Sequence, residues 1–415
     1  MTTASEAMPA QLKGMSKVEF IVLMAFLMAI NALAIDIMLP GLQEIGASLG
    51  VENENHRQYV VSAYLIGLGI AQLLYGPLSD RFGRRVPMLV GIVIYVISAL
   101  VIVLVPSFTA LLVLRFIQGI GSAATRVVTV SIVRDAFGGR RMAEVMSLIK
   151  IVLMVVPVVA PGIGQTVMLF GNWHLIFLFI AVIATVVGAW AYLRLPETLH
   201  PEDVRPFTVT SILGGFKIVL TNRIALCYTI ASTFIFGALF GFINSAQQIY
   251  VGIYELGSLF PVAFAAVALF MSLASFLNAQ LVGRVGMRRL SHGALVGFMA
   301  VTLMWLVVQI SMAHPMPFML FIGFFGVAMF LFGWIGANFN SLAMEPLGHV
   351  AGTASSVLGF LSTVGGAIIG ALIGQAFDGT ATPMVAGFFA VSVIGCIFVL
   401  IAERGQLFHP HNPKI

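Results

Sequence analysis

Long apolar runs alternate with short polar breaks along almost the whole chain. A helix of about 20 mostly apolar residues spans the roughly 30 Å hydrocarbon core of a bilayer, and each run has about that length. The pattern therefore predicts twelve membrane-spanning helices joined by short connections. They fall near residues 18–39, 57–79, 86–106, 108–132, 143–168, 174–194, 222–248, 257–281, 290–312, 317–341, 352–377 and 381–402.

The longest polar connection runs from Arg194 to Arg223 and divides the predicted helices into two sets of six. It contains several prolines and acidic residues, which are typical of a linker. The sequence therefore predicts an all-α integral membrane protein built from two six-helix bundles. The predicted segments are an N-terminal tail at 1–17, a first bundle at 18–194, a linker at 195–221, a second bundle at 222–402 and a C-terminal tail at 403–415.

Basic residues in the connections predict which side of the membrane each connection faces. Lys and Arg near helix ends tend to stay on the cytoplasmic side. If the N-terminus is cytoplasmic, every Lys or Arg in a connection or tail except Arg57 falls on that side. We therefore predict a multi-pass protein of the inner (plasma) membrane, with both termini and the linker in the cytoplasm.

Composition supports a membrane protein and excludes several other classes. Hydrophobic residues make up 60% of the chain and charged residues 9%, with a mean hydropathy of +1.05, whereas soluble domains carry about 25% charged residues. The net charge of +5 does not indicate nucleic acid binding, because the basic residues punctuate apolar runs instead of forming a patch. The chain has no nucleotide-binding loop of the Gly-x-x-x-x-Gly-Lys-Ser/Thr type, so we expect no ATP-driven transport. It also has no metal-ligand spacing, and we expect neither an enzyme nor a bound cofactor.

Two motifs in the first half resemble those of one transporter family. The sequence GPLSDRFGRR at 76–85 closely resembles the signature loop of the major facilitator superfamily. RFIQGIG at 115–121, in the fourth helix, is similar to the Arg-x-x-Gln-Gly-x-Gly motif of its proton-driven members. The resemblance implies the major facilitator fold, in which inverted repeats build two six-helix bundles that alternate access around a central cavity.

Other segments resemble drug:proton antiporters, and the bicyclomycin-resistance (Bcr/CflA) type in particular. PVVAPGIG at 157–164 is similar to the Gly-Pro motif of the antiporters, with Ala160 where a glycine is expected. Three segments resemble the bicyclomycin-resistance type: DIMLP at 36–40, VRD at 133–135 and NWHLIF at 172–177. In the second half the resemblance is reduced to RVGMRR at 284–289, which echoes the signature loop.

Asp36 and Arg115 are the predicted proton-coupling residues. Asp36 lies about 19 residues beyond Lys17, or roughly 28 Å at 1.5 Å per residue, and so in the outer half of the first helix. An acid there whose surroundings change during transport can bind and release a proton. The resemblance implies a coupling role for Arg115. The alternatives are an interfacial Asp36 held by polar groups, and an Arg115 held by backbone carbonyls that pins the fourth helix.

Polar residues inside the helices are predicted to contact the substrate. A polar face runs along the fourth helix from Arg115 to Arg126. Arg126 and Lys150 both fall in the inner half, where two positive charges would favour an anionic substrate. Alternatively, a Lys near a helix end extends to lipid phosphates. The candidate substrate-binding residues are Gln118, Arg126, Lys150, Asn244 and Asn338.

The signature loop and the prolines of the fifth helix are predicted to take part in the conformational change. Asp80 can lie near the positive N-terminal end of another helix, and the loop arginines can pair with Asp135 or lipid phosphate. The resemblance implies a cytoplasmic latch that stabilises the outward-facing state. The alternative is that these charges only set the topology. The candidate gating residues are Gly76, Asp80, Arg81, Gly83, Arg84, Arg85, Asp135, Pro157, Pro161 and Gly162.

The sequence as a whole predicts a proton-coupled secondary exporter of small, lipophilic drugs. Protons are the coupling ion, and the expected partners are a small-molecule substrate and membrane lipid, without nucleic acid; we expect a monomer. One alternative keeps the mechanism but makes the cargo an endogenous metabolite, such as a siderophore or another anionic compound. A second alternative is a non-transporting receptor or a channel on the same scaffold.

Overall fold

The structure is a computed structural model that describes residues 14–137, 139–204, 209–312 and 315–408. Within these ranges the chain forms helices and turns, without β-strands. Twelve of the described helices are long and apolar enough to cross a membrane, which confirms the predicted number. They are α1 (Lys17–Ser48), α2 (Glu54–Phe82), α3 (Arg85–Ile102), α4 (Phe108–Ala136), α5 (Glu144–Met168), α6 (His174–Arg194), α7 (Arg223–Ile253), α8 (Gly257–Val285), α9 (Met287–Ser311), α10 (Phe318–Leu347), α11 (Gly352–Gln375) and α12 (Thr382–Ala402).

The apolar pattern does not predict the irregular turns in α1, α7 and α11. In α1 the regular α-helix ends at Asp36, and a 3₁₀ turn at Leu39–Gly41 leads into the short helix Leu42–Ser48. Two π-helical turns occur in the second half, Gln248–Ile253 at the end of α7 and Leu361–Gly365 within α11. Such turns change which side chains face a neighbouring helix and often mark functional sites.

Glycines allow α2 and α4 to pack closely. A Cβ at Gly119 would meet the backbone of Tyr64, and a Cβ at Gly67 would meet the backbone of Phe116. Small residues at such positions let helix backbones approach each other within a membrane. This close contact brings the polar face of α4 against α2.

The connection between α6 and α7 contains a helix, Val209–Thr221, which lies within the predicted linker at 195–221. It packs on the start of α11, because Gly215 faces the side chains of Thr353 and Val357. The prolines and acids that predict a linker precede this helix in the sequence. The boundaries of the predicted segments remain predictions.

Candidate transport pathway

A cavity of about 420 Å³ lies between the first six helices and the last six. Its walls come from α2 and α4 on one side and from α7, α10 and α11 on the other. It reaches the helix ends at Asp80, Arg134, Met344 and Gly352, on the side of the molecule where Gly83 and Arg84 connect α2 to α3. We call this the loop side and the other end of the helices the opposite side.

On the opposite side, amide side chains join the two halves. Gln58 Nε2 donates to Gln248 Oε1 at 2.5 Å and to the carbonyl of Gly374 at 3.1 Å. Gln248 Nε2 donates to Asn55 Oδ1 at 2.7 Å, and Gln375 Nε2 donates to the carbonyl of Asn55 at 2.6 Å. We call Asn55, Gln58, Gln248 and Gln375 the amide cluster. The cluster holds the two halves together at this end of the helices, and none of its residues lines the cavity.

Arg126 is exposed and lines the cavity. Among the residues that the structure describes, its side chain has no hydrogen bond or ion pair. Lys150 is also exposed but does not line the cavity. The structure therefore does not bring the two predicted basic residues together, because α5 does not contribute to the cavity wall.

Arg115 is completely buried and bridges three helices. Its guanidinium donates to the carbonyls of Val60 at 3.2 Å and Ala34 at 3.1 Å, and to Gln118 Oε1 at 2.6 Å. It also lies over the ring of Tyr64, 4.4 Å from the centroid. In this conformation Arg115 pins α4 to α1 and α2, as one of the two interpretations of the sequence proposes, and Gln118 is its partner instead of a cavity residue.

Asp36 is 5% exposed, and its Oδ1 atom is buried without a hydrogen-bond partner. Among the described residues its carboxyl group makes no ion pair, either with Arg115 or with another cation. Glu403 is the other buried carboxyl in the described part of the chain, and it is held by Arg288 and Tyr228. An ionised carboxyl that is buried without partners is costly, so Asp36 has unusual surroundings for an acid.

A buried polar contact next to Arg115 is absent from the sequence prediction. Tyr64 donates from its hydroxyl to Ser122 Oγ at 2.6 Å, and Asn31 Nδ2 donates to the same oxygen at 2.9 Å. The three residues join α1, α2 and α4. Asn31 lies within an otherwise apolar run, and that is the signal that would have singled it out.

The other predicted binding residues lie outside the cavity wall. Asn244 of α7 is buried and donates to Ser62 Oγ of α2 at 3.4 Å. Asn338 donates to Asn278 Oδ1 at 2.7 Å and to the carbonyl of Trp334 at 2.8 Å. Both amides therefore connect helices in this conformation.

In the signature loop, Arg84 is the buried centre of an ion-pair network. It contacts Asp135 Oδ2 at 2.6 Å and Asp80 Oδ1 at 2.5 Å, and it donates to Ser79 Oγ at 3.0 Å. Burial by itself would lower the pKa of Arg84, but the hydrogen bonds and charges of Asp135 and Asp80 outweigh it and raise that pKa. Arg84 therefore stays charged and ties the loop to the end of α4.

Glu197, and not Asp80, occupies the N-terminal end of α3. Its carboxylate accepts hydrogen bonds from the backbone N–H groups of Arg84 at 2.8 Å and Arg85 at 3.1 Å. Gly83 precedes this contact with a φ of 86°, which favours glycine. The contact with Glu197 is not predictable from local pattern, because Glu197 lies 113 residues from Arg84; an acid shortly after the end of α6 is the available signal.

The remaining gating candidates have varied surroundings. Arg81 is exposed, whereas Arg85 is half-buried and lies over the ring of Tyr192. Gly76 lines the cavity. In α5, Pro157 and Pro161 lie inside the helix, and Gly162 faces Pro261 of α8 across the contact between the halves.

The second half contains a network that matches the signature-loop network in position. Arg288 follows α8 as Arg84 follows α2, and it contacts Glu345 at 2.8 Å and Glu403 at 2.9 Å. Glu345 lies near the end of α10, as Asp135 does in α4, and Glu403 follows α12 as Glu197 follows α6. The two halves thus repeat one arrangement of helices and charges, as the weak repeat at 284–289 predicts.

Comparison with known proteins shows the family of this chain. The sequence profile described as Major Facilitator Superfamily matches residues 21–371. The chain belongs to the major facilitator superfamily. Members of this superfamily are transporters, so the protein is a transporter and not an enzyme, as predicted from the sequence.

Relatives of this major facilitator protein carry names that match the predicted type. The chain is 31% identical over 385 residues to a bicyclomycin resistance protein homolog of Haemophilus influenzae, covering 91% of this chain and 94% of that protein. It is 29% identical over 370 residues to multidrug resistance protein D of Escherichia coli, covering 87% and 90%. These similarities confirm the resemblance to bicyclomycin-resistance transporters.

A solved structure of a major facilitator protein shows the same fold. The human organic anion transporter MFSD10 aligns with a TM-score of 0.68 and 17% identity, covering 94% of this chain and 99% of that one. At this identity the comparison concerns the fold alone. It confirms the predicted fold class.

Proposed function

We propose that this protein is a proton-driven antiporter that exports small, lipophilic drugs by alternating access. It acts in the inner (plasma) membrane, with both termini and the loop side facing the cytoplasm. Protons are the coupling ion, and no other cofactor takes part. The similarity to proteins named for bicyclomycin and multidrug resistance supports this class of substrate.

The observation that carries the proposal is the cavity between the two halves. It is closed by the amide cluster on the opposite side and reaches the helix ends on the loop side. Such an arrangement is one of the two states that alternating access requires. Breaking the amide cluster and closing the loop side would expose the same cavity to the other face of the membrane.

Charge supports the orientation. Arg81, Arg134 and Arg223 lie at helix ends on the loop side, whereas Arg57 lies on the opposite side. Basic residues are enriched on the cytoplasmic side of membrane proteins. A substrate would therefore enter the cavity from the cytoplasm, which is the direction that export needs.

Asp36 supports proton coupling. It is the buried carboxyl for which the described residues offer no partner, and it lies at the end of the regular helix of α1 that Arg115 holds through Ala34. A helix that is tied in this way can change the surroundings of Asp36 when the bundles move. Proton binding and conformational change would then be linked.

The test uses everted membrane vesicles, in which the loop side faces outwards and respiration acidifies the lumen. Adding bicyclomycin to energised vesicles that contain the protein should release protons from the lumen, as reported by a pH-gradient dye. Vesicles from cells without the protein are the control. Bicyclomycin uptake without proton release, unaffected by an uncoupler, would show facilitated diffusion and contradict antiport.

A further inference from the structure

Arg126 is unusual among the charged residues of the cavity wall because it has no charged partner. Two other ionised residues of the wall are paired: Asp80 with Arg84 at 2.5 Å, and Arg134 with Asp135 at 3.7 Å. Asp80 is the only carboxyl group in the described lining. The described wall therefore presents one uncompensated charge, and that charge is positive.

Arg126 lies within a membrane-spanning helix, where ionisable side chains are rare. Arg126 lies within α4, about three turns from Arg115 on the same helix face. Unpaired ionisable groups at such positions mark substrate or ion pathways by default. A planar guanidinium can donate two parallel hydrogen bonds to a carboxylate or a phosphate, which a Lys cannot do.

The facing wall is suited to an apolar body. Phe236 and Phe240 of α7 line the cavity with ring centroids 6.3 Å apart and an interplanar angle of 35°. Leu358 of α11 adds alkyl surface to this wall, Val130 adds it to the α4 wall beside Arg126, and Ser232 lies one turn before Phe236 in α7. A cavity of about 420 Å³ lies in the size range of sites for small organic ligands.

We infer that this cavity selects organic anions: molecules with a carboxylate or similar oxyanion that binds Arg126, and an aromatic or alkyl body that packs on Phe236 and Phe240. This inference rests on the proposed function in taking the cavity as the substrate site, and it adds the charge of the substrate. It also separates Arg126 from Lys150, which lies outside the cavity wall. Both acidic drugs and carboxylate-bearing metabolites are organic anions of this kind.

The test compares three probes with the same aromatic body and different charge. They are 2-naphthoate, 2-naphthamide and 2-naphthylmethylammonium, whose binding to the purified full-length protein is measured by calorimetry. We expect 2-naphthoate to bind at least about ten-fold more tightly than the amide, because a hydrogen bond to a charged group is worth that much or more. The ammonium probe should bind most weakly.

Three variants assign the preference to Arg126. Arg126→Gln should bind the naphthoate and the amide within about two-fold of each other, and Arg126→Lys should keep part of the preference because it keeps the charge. Arg289→Gln, the same change at an exposed residue outside the cavity, should behave as the wild type. Equal binding of naphthoate and amide by the wild-type protein would overturn the inference, even if a variant failed to fold. A preference that survives in Arg126→Gln would overturn it as well.

The vesicle assay distinguishes failure of this inference from failure of the proposed function. Proton release by bicyclomycin without any preference for 2-naphthoate would leave antiport standing and overturn the selection of anions. An Arg126-dependent preference for 2-naphthoate, without proton release by any probe, would support the anion site and contradict proton-driven export.

Discussion

Arg115 and Arg126 lie on one face of α4 and have opposite surroundings. Arg115 is buried, and its donors are used by the carbonyls of Val60 and Ala34 and by Gln118. Arg126 is exposed to the cavity. The first residue therefore stabilises the packing of three helices, whereas the second leaves a charge available to a ligand.

This difference predicts unequal effects of the same substitution. Arg115→Ala should lower the free energy of unfolding by about 2–5 kcal/mol, because two buried carbonyls lose their donor and a large side chain leaves a cavity. Arg126→Ala is the matched control and should change it by less than about 0.5 kcal/mol. Unfolding of the two purified variants in the same detergent measures this, and equal stabilities would show that Arg115 does not pin α4.

Spacing along the sequence predicts the polar face of α4 but not the partners of its residues. In the sequence, Arg115 and Arg126 look alike, because each is an arginine within an apolar run. Their different surroundings depend on carbonyls of α1 and α2 and on the second half of the molecule, which are far away in the sequence. For the same reason Gln118, Asn244 and Asn338 were predicted to face a substrate. Gln118 instead accepts from Arg115 in the same helix, and Asn244 and Asn338 contact other helices.

At the scale of single elements, α11 packs against α7 through its glycines. A Cβ at Gly370 would lie 2.6 Å from Phe240 Cβ and 2.8 Å from the backbone nitrogen of Gly241. Backbone atoms of a neighbouring helix cannot move aside as the end of a side chain can. The contact therefore fixes the distance between two helices that line or adjoin the cavity.

Gly370→Val should force α7 and α11 apart and lower the free energy of unfolding by about 1–3 kcal/mol. Gly323→Val is the control, since Gly323 is also a helical glycine but has no atom within 4 Å of the added Cβ. Thermal unfolding of the two variants measures the effect. A Gly370→Val protein as stable as Gly323→Val would mean that the two helices are not held at this distance.

The start of α3 depends on a residue from another element. Glu197 accepts two backbone N–H groups there, so Glu197→Ala should cost about 1–2 kcal/mol, in the range of a lost helix cap. Glu202→Ala removes an exposed acid from the same connection and should be nearly neutral. Chemical denaturation of both variants checks this, and similar stabilities would contradict the role of Glu197.

In the molecule as a whole, the amide cluster joins the two halves on the opposite side, where the proposed mechanism requires them to separate. Its members come from α2 in the first half and from α7 and α11 in the second. The bonds are neutral, and each contributes only about 0.5–1.5 kcal/mol net. A contact of this strength can close a pathway and still open during each transport cycle.

A cross-link across this contact should therefore stop transport reversibly. The test variant carries Asn55→Cys and Gln375→Cys in a protein whose Cys227 and Cys396 are replaced by Ala. Treatment with a short thiol-specific cross-linker that dithiothreitol can cleave should abolish its export. Reduction should restore export. The single-cysteine variants should be unaffected by the reagent. Full export by the cross-linked protein would show that the opposite side does not need to open.

The number and order of the helices follow from sequence because each apolar run is a local property of the chain. The signature loop is also local, so Asp80, Arg84 and Gly83 were found together. The amide cluster, Glu197 and the π-helical turn in α11 were not predicted, because each depends on how distant segments meet. The helix Val209–Thr221 was missed because nearby prolines and acids dominate the pattern of the linker.

Proton coupling through Asp36, which we propose drives export, is tested most directly by uphill transport in proteoliposomes with an imposed pH gradient. The wild-type protein should accumulate bicyclomycin against its concentration gradient. Asp36→Asn should exchange substrate across the membrane but fail to accumulate it, whereas Asp378→Asn, the same change at an exposed acid, should accumulate it normally. Accumulation by Asp36→Asn equal to that of the wild type would contradict the claim.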